Sequence, residues 1–242
     1  MTAVGGAGSG SEAGDSLAEI TPGRRVFRVG RKPNPWAWPP WEIAGEDGTF
    51  GNRWDDARST YRVLYGSSQL EACFVETLAR FRPDPHVLAE LARIKGPEAV
   101  QVPGRLPRSW LNGRVVGEAS VSGVFCDVGA AASLAYLHRA LAATLVRYRV
   151  RELDGAAIRQ TAPRRFTQEI SSHVYALSDA RGRPRFAGIA YRSRFGDHYQ
   201  NWAIFERPGR RPVIRAPRTR RIAPLQREFQ AALRLLDLEL GA

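Results

Sequence analysis

Residues 49–82 read TFGNRWDDARSTYRVLYGSSQLEACFVETLARFR, and three kinds of local order succeed one another along them. The opening, rich in Gly, Asn and Asp, reads as a turn; YRVLY at 61–65 alternates as a strand does; from Ser68 the apolar residues change to helical spacing. Ser68 followed by Glu71 has the form of a capping box, which predicts a helix to about Phe81 with Leu70, Phe74, Leu78 and Phe81 as its buried stripe. Arg53 and Trp54 then lie on a turn, Tyr65 on a strand and Glu76 on a helix, so a cation, a flat ring and a carboxylate can face one pocket. Glu76 falls opposite the stripe, among Ala72, Cys73, Ala79 and Arg80. Two readings are open for it: a solvated residue paired with Arg80 four positions on, or a carboxylate whose small neighbours let another part of the chain or a ligand come close.

On the N-terminal side, RRVFRV at 24–29 reads as a strand with Val26 and Arg28 on one side and Phe27 and Val29 on the other. Residues 1–22 are mostly small and polar and are expected to form a disordered tail; their glycines neither follow a strand nor open a helix, which excludes a phosphate loop. Residues 32–48, KPNPWAWPPWEIAGEDG, hold too many prolines for a helix or central strand, so they are expected to be an ordered loop whose three tryptophans pack on the body. On the C-terminal side, Pro83 ends the helix, and a short helix and an EAVQV strand at 98–102 are expected next. Residues 114–128 suit one bent strand or two joined by a turn. Helices are expected over 133–146 and 166–177, and strands over 186–193 and 201–206 around RFGDHYQ, with Ser193 closing the first. An arginine-rich run at 207–221, interrupted by prolines, reads as an extended, solvated segment, and Leu225, Phe229, Leu233, Leu236 and Leu240 mark a closing helix over 224–240.

A chain of 242 residues with 43% hydrophobic content can bury a core without disulfides or metals, and one domain over 23–242 is expected. The net charge of +12 is almost wholly arginine, since Lys32 and Lys95 are the only lysines; with abundant Ala and Gly this suggests a GC-rich bacterial genome. Charge speaks to encounter and does not choose among nucleic acid, an anionic ligand and an acidic partner. Cys73 and Cys126 are too few for a disulfide framework, and neither a membrane-length apolar run nor a secretion signal is evident, so a cytoplasmic location is expected. His86, His138, His173 and His198 stand apart and neither cysteine has a partner at ligand spacing, so no metal is expected. No G-x-S-x-G elbow offers a hydrolase nucleophile, and without aromatic platforms or a helix-turn-helix direct nucleic-acid binding is disfavoured.

Five residues stand out together: Arg28, Arg53, Tyr65, Glu76 and Ser193, in VFRVG, FGNRW, RVLYGSS, EACFVETL and GIAYRSRFGDHYQNWAIFE. In their type, order and spacing these segments resemble the RES family, over roughly residues 24–206. Many of its members are toxins of bacterial toxin–antitoxin pairs. The chain departs from the family's usual Gly-Arg-Trp-Asn at Asn52 and Asp55, and adds the Trp/Pro loop and the arginine-rich tail. The resemblance implies an α/β (α+β) fold similar to ADP-ribosyltransferases, with small mixed β-sheets flanked by helices, acting on NAD as substrate. In that reading Glu76 stabilises positive charge on the ribose, Arg28 and Arg53 hold the pyrophosphate, Tyr65 stacks on nicotinamide, and Ser193 orients the carboxamide or ribose, with Glu76, Arg53 and Ser193 as the catalytic set. The expected activity is cleavage of the nicotinamide–ribose bond with water or phosphate as acceptor. The alternatives are ADP-ribosylation of a protein, or a non-catalytic basic module that binds nucleic acid or a partner. The expected partner is a cognate antitoxin of the Xre-type helix-turn-helix family; the oligomeric state, homodimer included, stays open.

Overall fold

The computed structural model describes residues 16–23, 25–91, 93, 104–159 and 163–241. Of the expected tail, residues 1–15 lie outside the described residues, but the stretch up to 22 is not disordered: Leu17 is buried and Glu19–Ile20 (β1) pairs with a later strand. Val26–Arg31 (β2) forms as the alternation predicts. The next strand, Val63–Ser67 (β3), lies two residues beyond the predicted one and leads directly into Leu70–Leu78 (α1), continued by a single tighter turn to Phe81. Pro85–Leu91 (α2) is the short helix after Pro83; the EAVQV segment lies outside the described residues. Arg105–Leu106 (β4) and Ser109–Asn112 (α3) precede Arg114–Val121 (β5) and Phe125–Asp127 (β6). The predicted 133–146 helix is two, Ala131–Ala140 (α4) and Ala142–Arg147 (α5), broken where Leu141 leaves helical geometry. Gly155–Arg159 (α6) was not signalled by periodicity, whereas Arg164–Ala176 (α7) was. Gly188–Ser193 (β7) and Gly196–Phe205 (β8) form a tight hairpin, so most of RFGDHYQ is strand rather than connection. Ile214–Arg221 (β9), Arg227–Leu235 (α8) and Glu239–Leu240 (β10) complete the described chain.

Eight strands form one mixed sheet in the order β1-β6-β7-β8-β3-β2-β5-β9, flanked by helices, and β4 and β10 form a separate parallel pair. Within the large sheet only β6 and β7 run parallel. β5 and β6 are consecutive in sequence yet lie far apart in the sheet, because the turn through Gly123, at φ +105°, sends the chain away instead of folding it into a hairpin. The sheet is weakly joined in the middle. β2 pairs with β5 over six residues and β3 with β8 over five, but β2 and β3 share one pair, Phe27 with Ser67. Backbone groups that a longer ladder would satisfy find side chains instead: Arg28 donates to the Tyr65 carbonyl at 2.6 Å and the Cys73 thiol to the Phe27 carbonyl at 3.1 Å.

Side chains alternate along β8, so Trp202 and Ile204 face one layer while Tyr199, Asn201, Ala203 and Phe205 face the other. The first layer is closed by the proline/tryptophan loop. Trp36 is buried there and Trp38 packs beside it, whereas Trp41 is 38% exposed and rests against Phe50 instead of the core. Gly117 permits this approach, since a Cβ there would lie 2.5 Å from Trp36 Nε1. The opposite layer holds two apolar clusters side by side: one under α5, α6 and α7, including Trp54, Tyr61 and Tyr191, and one between α1 and α8, including Phe74, Trp110 and Phe229.

Three expectations at the ends of elements need correction. The capping box at Ser68 and Glu71 does not form: Ser68 Oγ accepts a hydrogen bond from Trp202 Nε1, the Tyr199 hydroxyl donates to Glu71, and Gln69 occupies the cap position without a side-chain bond. The closing helix is shorter than 224–240, because Asp237 adopts φ +56° and Leu238 turns inward; Leu225 is 88% exposed, while Phe229, Leu233 and Leu236 are buried as their spacing predicts. The arginine-rich run is solvated along β9 but begins with a partly buried residue: Arg207 lies 3.6 Å from the Tyr175 ring centre and donates to the Tyr175 and Phe186 carbonyls.

Asp56 supplies a test of how the loop before β3 is held. Its carboxylate is buried and accepts from Thr60 N and Oγ1 at 2.5 and 2.6 Å, from Arg58 N at 3.1 Å and from Ser172 Oγ on α7 at 2.7 Å. Burial alone would push its pKa up, but these bonds favour the charged form and hold it below the ordinary 3.8. The unfolded chain therefore binds the proton more readily, and the stabilisation is complete above that ordinary value and lost as pH falls through the native one. Asp56→Asn is expected to lower stability by about 1–3 kcal/mol at pH 7. Thermal melts of both proteins should show that gap narrowing below about pH 4.

Candidate active site

α1 is buried on almost every side. Leu70, Phe74 and Leu78 pack toward α8, while Ala72, Cys73 and Val75 are also out of solvent, which leaves Glu76 as the exposed position of the helix middle. The small residues beside it let the sheet come close. Ser193 Oγ, at the end of β7, donates to Glu76 Oε1 at 2.7 Å, and Asn201 Nδ2, on β8, donates to the same oxygen at 2.9 Å. Ser193 Oγ also accepts the Phe195 amide at 3.0 Å, so its hydroxyl is directed at the carboxylate by the β7–β8 turn. Ser193 and Asn201 are each 1% exposed. One carboxylate oxygen is thus gripped by two buried donors and the other, Oε2, has no hydrogen-bond partner among the described residues. The pairing of Glu76 with Arg80 that helical spacing allowed does not occur; Arg80 lies over the Phe81 ring at 4.8 Å.

Across the same sheet face sits the loop carrying Arg53. Asp55 is its hub: it accepts the Asn52 and Phe50 amides at 2.7 and 3.1 Å and the Tyr65 hydroxyl at 2.8 Å. The neighbouring Trp54 is fully buried, with its ring centre 5.6 Å from that of Tyr191; its amide donates to the Tyr65 oxygen at 3.1 Å and its carbonyl accepts Ser171 Oγ at 2.7 Å. With Trp54 pointing in, the backbone turns Arg53 outward over the Tyr191 ring, 5.8 Å from its centre, where it donates to the Arg159 carbonyl at 3.2 Å. Burial lowers the Arg53 pKa, Tyr191 and Glu76 oppose that lowering, and Arg194 and Arg164 add to it. Glu76 and Arg53 therefore share one electrostatic environment, bordered by further arginines. Burial also raises the Tyr191 pKa, with the Glu76 charge adding to the effect.

The family model of the RES domain matches residues 25–227. The chain belongs to the RES domain family. Nothing matches it among curated proteins or among solved structures. RES domains are associated with NAD-utilising enzymatic toxins and typically act in toxin–antitoxin systems, which gives this chain a toxin-like, NAD-related setting. All five residues singled out in the sequence fall within the matched RES segment, but they are not equivalent in space. Glu76, Ser193 and Arg53 gather on one sheet face. Tyr65 is half-buried, and its hydroxyl is committed to Asp55 and Trp54, so only its ring is available for stacking. Arg28 is committed to the Pro35 carbonyl at 2.7 Å and the Tyr65 carbonyl, bridging the seam between β2 and β3; its Nη2 has no hydrogen-bond partner among the described residues.

Periodicity around Ser193 carries a further signal. Tyr191 is two residues before Ser193 and so shares its face, and it stands directly opposite Asn201 in the β7–β8 register. Asn201 is itself a polar residue at an inward position of the apolar strand NWAIF. Asp55 ties the loop to β3 by accepting the Tyr65 hydroxyl, and burial raises the pKa of its carboxyl. Neither cysteine is poised as a nucleophile. Burial pushes both cysteine thiols up to about 12, and among the described residues no three His, Cys, Asp or Glu side chains are grouped to hold a metal.

Proposed function

We propose that this RES domain cleaves the bond between nicotinamide and ribose in NAD, with water or phosphate as acceptor. The observation that carries the reading is Glu76: two buried donors fix Oε1, while Oε2 has no hydrogen-bond partner among the described residues. As the C1′–N1 bond breaks, its electron pair returns to the nicotinamide ring, neutralising the pyridinium nitrogen, and positive charge spreads over C1′ and the ring oxygen of ribose. A carboxylate held in place beforehand stabilises that charge without reorganising during the step. The acceptor then adds its oxygen to C1′; in hydrolysis, water releases the surplus proton to solvent. In this reading Ser193 acts by orienting Glu76, more than by binding the nicotinamide carboxamide, because its hydrogen already points at Oε1. Arg53, with Arg164 and Arg194 near it, faces the pyrophosphate, and the half-buried Tyr65 ring offers a flat surface to the base.

Purified chain incubated with NAD is expected to release free nicotinamide together with ADP-ribose or its phosphorylated form. NAD that stays intact would overturn the proposal, and radiolabel transferred to a protein would replace it with ADP-ribosyl transfer. Arg53→Lys keeps the charge but loses the flat fork, so KM for NAD should rise about tenfold with a smaller change in kcat. An unchanged KM in steady-state kinetics would remove Arg53 from substrate capture. Depletion of NAD would act in the cytoplasm, where a cognate antitoxin, an Xre-type helix-turn-helix protein, is the proposed restraint. Among the described residues, no helix is long and apolar enough to cross a membrane.

A further inference from the structure

β9 is the last strand of the large sheet. It pairs with β5 on one side, and among the described residues no backbone hydrogen bond reaches its other edge. In an antiparallel pair every second residue directs its N–H and C=O away from the partner, so this edge offers a row of unused donors and acceptors. Ala216, at φ +46°, and Pro217, which has no N–H, interrupt the row at a register shift opposite Glu118 and Ser120, leaving Ile214–Arg215 and Arg218–Arg221 as its usable parts. Every residue from Arg215 to Arg221 is exposed, and Arg215, Arg218, Arg220 and Arg221 all lie in it. None of the four forms an ion pair among the described residues; Arg220 donates to Gln226 at 3.2 Å, and Glu118, opposite Arg218, is drawn instead to Arg25 at 3.5 Å.

We propose that the free edge of β9 is a docking site for an acidic, extended segment of a partner protein, which joins the sheet as a ninth strand. Charge selects the partner. A second copy of β9 would set arginines against arginines, which disfavours self-association, whereas a strand bearing Asp or Glu gains cross-strand pairs along with backbone hydrogen bonds. The neighbouring β5 has buried Val115, Val116, Ala119 and Val121, but the strand beyond it is exposed from Arg215 to Arg221, so a strand added there needs polar rather than apolar side chains. Alternation favours a protein over a nucleic acid. Arg218 and Arg220 project from one face of the sheet and Arg221 from the other; a strand laid along the edge reaches both, while a phosphate backbone tracks one. The inference holds whether or not NAD is the substrate.

The probe is a fluorescent peptide of about twelve residues alternating Glu and Thr, titrated by anisotropy into the full chain. Binding is expected, with Arg218→Glu/Arg220→Glu weakening it by at least about tenfold. The same peptide N-methylated at alternate residues keeps its charge and loses half of its backbone donors, and it should also bind at least about tenfold more weakly. Equal affinity for the methylated peptide, or unchanged binding by the doubly substituted chain, would overturn the proposal. So would displacement of the peptide by a short DNA duplex at lower concentration than by unlabelled peptide, which would make the strand a nucleic-acid surface.

Discussion

Glu76→Gln is expected to reduce nicotinamide release from NAD by about a thousandfold while leaving the protein folded. Gln keeps an oxygen able to accept from Ser193 and Asn201, so the two bonds that hold position 76 survive, and what disappears is the negative charge. Glu76 is exposed, and exposed substitutions away from a core usually change stability by less than about 0.5 kcal/mol, so the melting temperature should move by no more than about 2 °C. A positioned charge that acts mainly in the transition state contributes roughly 3–4 kcal/mol, and its loss should lower kcat with little change in KM. Nicotinamide release by Glu76→Gln within a few-fold of the parent would remove Glu76 from the chemistry. Ser193 and Asn201 would then be bracing a surface side chain for some other purpose.

Trp54→Ala should have the largest effect on stability. The indole is fully buried in the cluster beneath α7, with the Tyr191 ring beside it, and its own backbone is bonded to Tyr65 and Ser171. Truncating a buried Trp removes apolar contact and leaves a cavity the surroundings fill only in part, a cost of about 3–5 kcal/mol. In a chain of 242 residues this corresponds to a fall in melting temperature of roughly 6–20 °C. Since Arg53 precedes Trp54, the same change should loosen the guanidinium over Tyr191 and raise KM for NAD. Trp54→Phe keeps most of the apolar volume and should recover a good part of both losses. Its indole Nε1 has no hydrogen-bond partner among the described residues, so removing that nitrogen sacrifices no bond. A melt of Trp54→Ala within about 2 °C of the parent would show that the loop is anchored elsewhere.

Along the chain, what was legible depended on how local the cause was. Period-two and period-3.6 patterns placed β2, α1, α7 and the buried face of α8, because the apolar side of an element is written into consecutive residues. They misplaced ends. Ser68 and Glu71 have the letters of a capping box, yet Trp202 and Tyr199 from β8 claim their side chains. The break at Leu141 and the early end of α8 near Asp237 arise from packing that neither segment announces. The arginine-rich run was readable as extended, but nothing in its letters said that β5 would be its ladder partner.

From sequence alone came the residue types and their order: a carboxylate on a helix, an arginine on the preceding turn, a serine closing a distant strand, and the membership of a family that such an order signals. Periodicity also fixed which side of α1 carried Glu76, since helical geometry is set by neighbours a few residues away. Only the tertiary structure decided what those groups meet. Ser193 and Asn201 are 117 and 125 positions from Glu76 and reach it because β7 and β8 pass beneath α1. Arg28 bridges a seam left by two strands that share a single residue pair. The physical reason is that hydrogen bonds and charges act over a few ångströms of space regardless of separation along the chain. Their partners are fixed by strand order, which many distant apolar contacts determine together.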